Sequence, residues 1–323
     1  MKAEFADPFS RRKLLAMSTG ALTVGVAGCM DGLGNLREFG NGQSSEDISA
    51  VNGSFFMLYD LARQVAGESL SVEDLVPIGA HGDDWEPGPD IMENVTDADV
   101  FVYIEGFRSW SDGIAASLPD DFPEITVIDA AEGIEYIEGE SGRDYDPHFW
   151  MDPLLAKEAV ENIRDGFIDA DPDESDTYEE NAEDFLGRLD DVNDQFEDAM
   201  EQRQQDIIII GSHDSYQYWT QRYDLDIHSP VGISPDGEPT AREMEEITDI
   251  IDEYGLGYIL YDMYESRNYA ESLQAETDTE LLPVSPIEAS TEEQLEAEMG
   301  YVEHMLDINL DTLEHALEVT YPE

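Results

Sequence analysis

Apolar residues follow two alternating periods along this chain. Compact runs of β-branched and aromatic residues occur at Val100–Ile104 (VFVYI), Ile125–Ile128, Ile207–Ile210, Tyr258–Tyr261 and Leu281–Val284. Runs of this length and composition predict strands buried on both faces of a parallel sheet. A shorter strand is expected within Leu70–Pro77. Between the runs the spacing changes to threes and fours. Phe56, Leu58, Leu61, Ala62 and Val65 predict one helix, and Trp110–Leu118 a second. Asp152 followed by Pro153 reads as an N-cap with proline at the first helical position, opening a helix through Phe167. Further helices are expected over Thr240–Tyr254 and over Glu292 to about Glu318. The last would carry Leu295, Met299, Val302, Leu306, Leu310, Leu313 and Leu317 on one face.

The longest periodic stretch runs from Glu174 to Gln204, where Tyr178, Ala182, Phe185, Leu189, Val192, Phe196 and Met200 recur with no proline. As one helix it would extend about 45 Å. Strand-helix alternation resumes beyond it, so it is expected to connect two α/β halves. The predicted fold is therefore two α/β lobes with short parallel sheets, an N-terminal lobe at 48–172 and a C-terminal lobe at 206–323. One long backbone helix at 173–205 joins them.

Charge sets the environment. The 323 residues carry 15 Lys and Arg against 77 Asp and Glu, a formal net charge of −62. Only Lys2, Lys13 and Lys157 are lysines. Phosphate recognition needs clustered basic residues, so nucleic acid is excluded as a partner. Acids spread through every predicted element, with 41% hydrophobic residues among them, describe a carboxylate-coated globule and not a disordered tail. Such a coat suits molar salt, where repulsion is screened within roughly 3 Å. A hypersaline habitat is the expectation.

Residues 1–28 read as an export signal. Arg11-Arg12 before a modest apolar run resemble a twin-arginine signal, and Val26-Ala27-Gly28-Cys29 resembles a lipobox. Cleavage before Cys29 and lipidation of its thiol would anchor the chain to the outer face of the membrane. No other cysteine exists, so disulfides are not expected. Residues 29–47 are rich in Gly, Asn, Ser and acid, as in a flexible tether.

Candidate chemistry centres on DYDPHFWMDP at Asp144–Pro153, where two prolines flank His148. A second histidine, His213, stands in SHDSY directly after the isoleucine run. One histidine in each half, each at the edge of an element beside acids and aromatics, suggests a metal site between the lobes. His304 and His315 on the final helix read as solvated or half-buried, and His228 as a loop residue.

Several runs then resemble, in order, the landmarks of the solute-binding proteins that feed zinc and manganese ABC transporters. These are GAHGDDWEPGPDI (Gly79–Ile91), DPHFWMDP (Asp146–Pro153), SHDSYQYW (Ser212–Trp219), EPT (Glu238–Thr240), and Tyr301 through Met305 to Asn309. The resemblance implies a metal in the cleft, with His148 and His213 as ligands. The family's first histidine falls at Asp83, with His81 two residues earlier. Its fourth ligand falls near Ser285, a poor donor whose place Glu288, Asp262 or water would fill. Asp146, Asp152 and Asp214 are expected to orient the rings or cap helices. The donor set suits Zn2+, and also Mn2+ or Fe2+.

The function implied is that of a monomeric, lipid-anchored receptor that captures a divalent cation and passes it to a membrane permease without chemistry. Two alternatives stand beside it. A secreted metalloenzyme could use the same histidines, although no HExxH pair, Gly-x-Ser-x-Gly elbow or phosphate loop is present. A relative that has lost metal binding at Asp83 and Ser285 could serve adhesion or another solute. The salt reading has its own test. Refolding monitored by circular dichroism is expected to fail in dilute buffer and to succeed in molar KCl, and a cooperative, stable fold in dilute buffer would remove it.

Overall fold

The computed structural model describes residues 48–80, 85–139, 144–233 and 237–321. The export signal, the tether and Cys29 lie outside this range, as do His81 and Asp83. In the first half, β1 (Ala50–Gly53), α1 (Phe56–Ala66), β2 (Ser71–Asp74), α2 (Ile91–Thr96), β3 (Val100–Tyr103), α3 (Ser109–Asp121) and β4 (Thr126–Asp129) succeed one another. They build a parallel sheet of order β2-β1-β3-β4. A small antiparallel pair, β5 (Ile137–Glu138) and β6 (Tyr145–Asp146), leads into α4 (Pro153–Ala170). The long α5 spans Ser175–Glu201 without interruption.

The second half contains β7 (Ile207–Ile209), α6 (Gln217–Tyr223), β8 (Asp226–His228), α7 (Ala241–Tyr254), β9 (Tyr258–Asp262), α8 (Asn268–Glu276) and β10 (Glu280–Val284). Its strands pair as β7-β8 and β9-β10, all parallel, and a single bridge from Ile210 to Leu260 sets β7 beside β9. The resulting order, β8-β7-β9-β10, repeats that of the first half. Pro283 cannot donate to a ladder, and β10 tolerates it as an edge strand.

One apolar core joins the halves. Tyr178, Ala182, Phe185, Leu189, Val192, Phe196 and Met200 of α5 are all buried in it, beside Phe56 and Leu61 of α1 and Ile163 and Phe167 of α4. The predicted stripe therefore faces inward along the whole helix, while its Asp and Glu face solvent.

Several short elements were hidden from periodicity, β8 and α8 among them, and one prediction is corrected. The strand β8 and the helix α8 are short and polar, with too few apolar positions to signal a period. The expected continuous helix from Glu292 to Glu318 is instead broken. A short helix, α9 (Glu292–Glu296), is started by a Thr291 capping box and stops as Glu298 turns left-handed at φ 56°. Helix resumes at Tyr301, passes through a π-helical turn at His304–Leu310, and ends with α10 (Asp311–Ala316). Buried Asp60 causes the restart. Its Oδ2 accepts the Tyr301 N–H at 2.7 Å. A Cβ on Gly300 would lie 2.6 Å from that same oxygen, so the position requires glycine.

Leu189 is fully buried at the middle of α5. Leu189→Ala is expected to lower unfolding free energy by about 2–5 kcal/mol in denaturant titrations at high salt.

Candidate metal site

The carboxyl ends of the strands supply the site. In the second sheet the strand order reverses between β7 and β9, the position where open α/β sheets leave a crevice for ligands. His213 follows β7, Asp262 ends β9, and Glu288 follows β10. Gly211 lets the chain leave β7 close to α8, since a Cβ there would meet the Ala270 Cβ at 2.6 Å. From the first half, β6 delivers Asp146 and His148 to the same point.

Four hydrogen bonds fix the His148 segment across the halves. The Tyr218 hydroxyl donates to the Asp146 carbonyl at 2.8 Å, and the Trp219 indole to the Met151 carbonyl at 2.8 Å. The Tyr301 hydroxyl donates to the Trp150 carbonyl at 2.6 Å, while the Trp150 indole donates to the Pro286 carbonyl at 2.8 Å. Each buried aromatic thus satisfies its polar atom on a backbone carbonyl, two of them in the short helical turn Phe149–Met151.

His148, His213 and Glu288 form one group with ligand atoms within 4.8 Å of one another. All three are at most 1% exposed. The Glu288 Oε1 atom lies 3.4 Å from His148 Nε2 and 3.9 Å from His213 Nε2. Each ring holds a second carboxylate on its other nitrogen: Asp146 Oδ1 is 2.6 Å from His148 Nδ1, and Glu265 Oε1 is 2.6 Å from His213 Nδ1. Engaging Nδ1 in this way orients each ring and turns Nε2 toward Glu288. The Ser215 hydroxyl also touches His213 Nε2. Phe107 and Trp150 pack edge-on against the His148 ring and close that side with apolar surface.

The electrostatics favour a cation. Burial alone would lower both imidazole pKa values, yet the carboxylates outweigh it. Asp146, then Glu288, push His148 up to about 9. Glu265 and Glu288 likewise raise His213 well above its ordinary value. The carboxylates thus favour positive charge at both rings, the same charge that a divalent ion would supply.

The other expected residues fall as follows. Asp152 accepts the Leu154 N–H at 2.9 Å as the N-cap of α4 and pairs with Arg222. Of the two roles expected, Asp214 takes the local backbone-capping one and not the ring-orienting one. Its oxygens take the Tyr216 N–H and the Gln217 amide, shaping the turn after His213. Burial raises its pKa to about 6. Asp262 Oδ2 is 4.0 Å from His213 Nδ1 and belongs with Glu265 to a second group around that ring. Ser285 faces away from the imidazole pair: its hydroxyl bonds His304 Nδ1 at 2.8 Å and accepts the Ile287 N–H at 3.1 Å. Ile287 is left-handed at φ 63°, a conformation costing about 1–3 kcal/mol for a β-branched residue.

Sequence reasoning missed Glu265, one acid among 77. Its signal is positional, three residues beyond the end of the strand at the reversal point. His304 is also corrected: it is fully buried, not solvated.

Comparison with known proteins gives a consistent set. The family described as ZnuA, zinc-uptake complex component A, periplasmic, matches residues 51–316. The high-affinity zinc uptake system protein ZnuA of Bacillus subtilis is 27% identical over 308 residues, covering 91% of this chain and 94% of that protein. The zinc-binding lipoprotein AdcA of Streptococcus pneumoniae is 28% identical across 83% of this chain, which spans only 56% of AdcA. The crystal structure of the Zn(II)-bound ZnuA-like domain of that AdcA superposes with a TM-score of 0.72 at 28% identity, covering 84% of this chain and 99% of the domain.

Burial lowers the His304 pKa to about 4. Between pH 6.5 and 4 the unfolded chain gains a proton that the folded chain does not, so acidification removes on the order of 3 kcal/mol of stability through this group. In NMR titration the His304 ring protons are expected to stay fixed from pH 7.5 to 5.5; a midpoint near 6.5 would contradict the burial.

Proposed function

The chain belongs to the ZnuA family, and from that premise we propose that it is the cation receptor of an ABC importer, binding Zn2+ and handing it to a membrane permease. The observation that carries this reading is the convergence of His148 Nε2, His213 Nε2 and Glu288 from three strand ends on one buried point. Two imidazoles and a carboxylate form a three-donor zinc set with room for a fourth ligand, and a softer N-donor pair favours zinc over magnesium or calcium. Glu288 fills the role that Ser285 cannot, which supports retained metal binding. His81 or Asp83 is the candidate for the remaining position.

The zinc ion is cargo here. Binding displaces the protons held on His148 and His213, and the Asp146 and Glu265 carboxylates keep each ring in the tautomer that presents Nε2. The receptor performs no bond-breaking step. A monomer tethered through lipidated Cys29, exported by the twin-arginine route and adapted to high salt, is consistent with the N-terminal motifs and with a net charge of −62.

Equilibrium dialysis in molar KCl followed by metal analysis is expected to find one tightly held zinc per chain, and none in the His148→Ala, His213→Ala double variant. A wild-type chain that dialyses free of metal, or a double variant that keeps its zinc, would overturn the assignment.

A further inference from the structure

The loop carrying Glu288 is held in a strained conformation from outside the metal site. Ser285 is its fixed point. Its N–H donates to Asn309 Oδ1 at 2.8 Å, and Asn309 Nδ2 donates back to the Ser285 carbonyl at 2.9 Å. The Ser285 hydroxyl binds His304 Nδ1 and receives the Ile287 N–H. Pro286 follows with restricted φ, and its carbonyl receives the Trp150 indole. Ile287 then turns left-handed at φ 63° while its side chain sits fully buried. A β-branched residue keeps such a conformation only where its surroundings over-determine it.

The π-helical turn explains how two side chains reach one serine. His304 and Asn309 are five residues apart, which on an α-helix would set them roughly 140° apart around the axis. Widening the turn over His304–Leu310 brings both to the face against β10. A π-turn is rare and needs a cause. Here the cause is the simultaneous grip on Ser285, as both residues are fully buried and both bind it.

We propose that His304 and Asn309 are positioning residues for metal capture: through Ser285 they force Ile287 left-handed and so aim the Glu288 carboxylate at the two imidazoles. The proposal rests on the metal-receptor reading above. Neither residue touches the ion. With the grip removed, Ile287 relaxes toward negative φ, and Glu288 swings out of reach of His148 and His213.

The test uses Co(II), whose visible absorption reports coordination number and geometry, with Glu288→Gln as the reference for a lost carboxylate. Titrating the folded protein in molar KCl, Ser285→Ala, Asn309→Leu and His304→Phe are each expected to bind Co(II) about tenfold to a hundredfold more weakly. Their spectra should move toward that of Glu288→Gln. Ser285→Ala removes one oxygen with little change in packing, so it reports even if the larger substitutions fail to fold. A general loss of stability would weaken binding without reproducing the Glu288→Gln spectrum. Wild-type spectra and affinity in Ser285→Ala together with a folded Asn309→Leu would overturn the proposal. Absence of Co(II) binding by the wild type would instead overturn the receptor assignment itself.

Discussion

Everything around this site follows from burying several carboxylates beside two imidazoles. Asp146, Asp262 and Glu288 are each at most 1% exposed, and the Glu265 side chain is partly buried at 14%. A desolvated cluster of like charge is unstable unless positive charge is placed within it. Raised histidine pKa values are one solution and a divalent cation is the other, so protons and metal compete for the same electrostatic role. Shape and hydrogen bonding then matter more than the number of acids.

Shape is imposed by the framework. Strand ends deliver His213, Asp262 and Glu288, while aromatic donors from the second half hold the His148 backbone from above. The same indole that closes the apolar side of His148 also secures Pro286 in the Glu288 loop. One side chain, Trp150, therefore couples the positions of two donors that lie 140 residues apart in sequence. Its neighbour Tyr301 couples the arrangement further to Asp60, which restarts the final helix.

Much of the architecture was legible because strongly periodic segments have few alternative uses. The stripe of α5 and the isoleucines of β7 could hardly be placed elsewhere than in a core. His148 and His213 stood out because they border such segments. Glu265 escaped notice because Asp214 is the acid next to His213 in the chain, whereas Glu265 reaches the His213 ring only through the fold. The final helix was read as continuous since Leu295, Met299 and Val302 keep a helical period through Gly300. That glycine looks incidental until Asp60, 240 positions earlier, is seen against it. Burial of His304 was hidden for the same reason. Its own helix is acidic, and the Phe56 and Tyr264 rings that pack on it come from elements far away in sequence.

The repeated strand order of the two sheets has a consequence for divergence. Donors fixed at strand ends, and steered by buried side chains such as Trp150 and Asn309, owe nothing to the residues facing solvent. The outer surface can take up many acids, as it does in this chain, without replacing any of the side chains that hold the buried residues in place. The residues that meet solvent and those that shape the buried cluster are thus largely separate sets in this scaffold, so a change in one leaves the framework of the other in place.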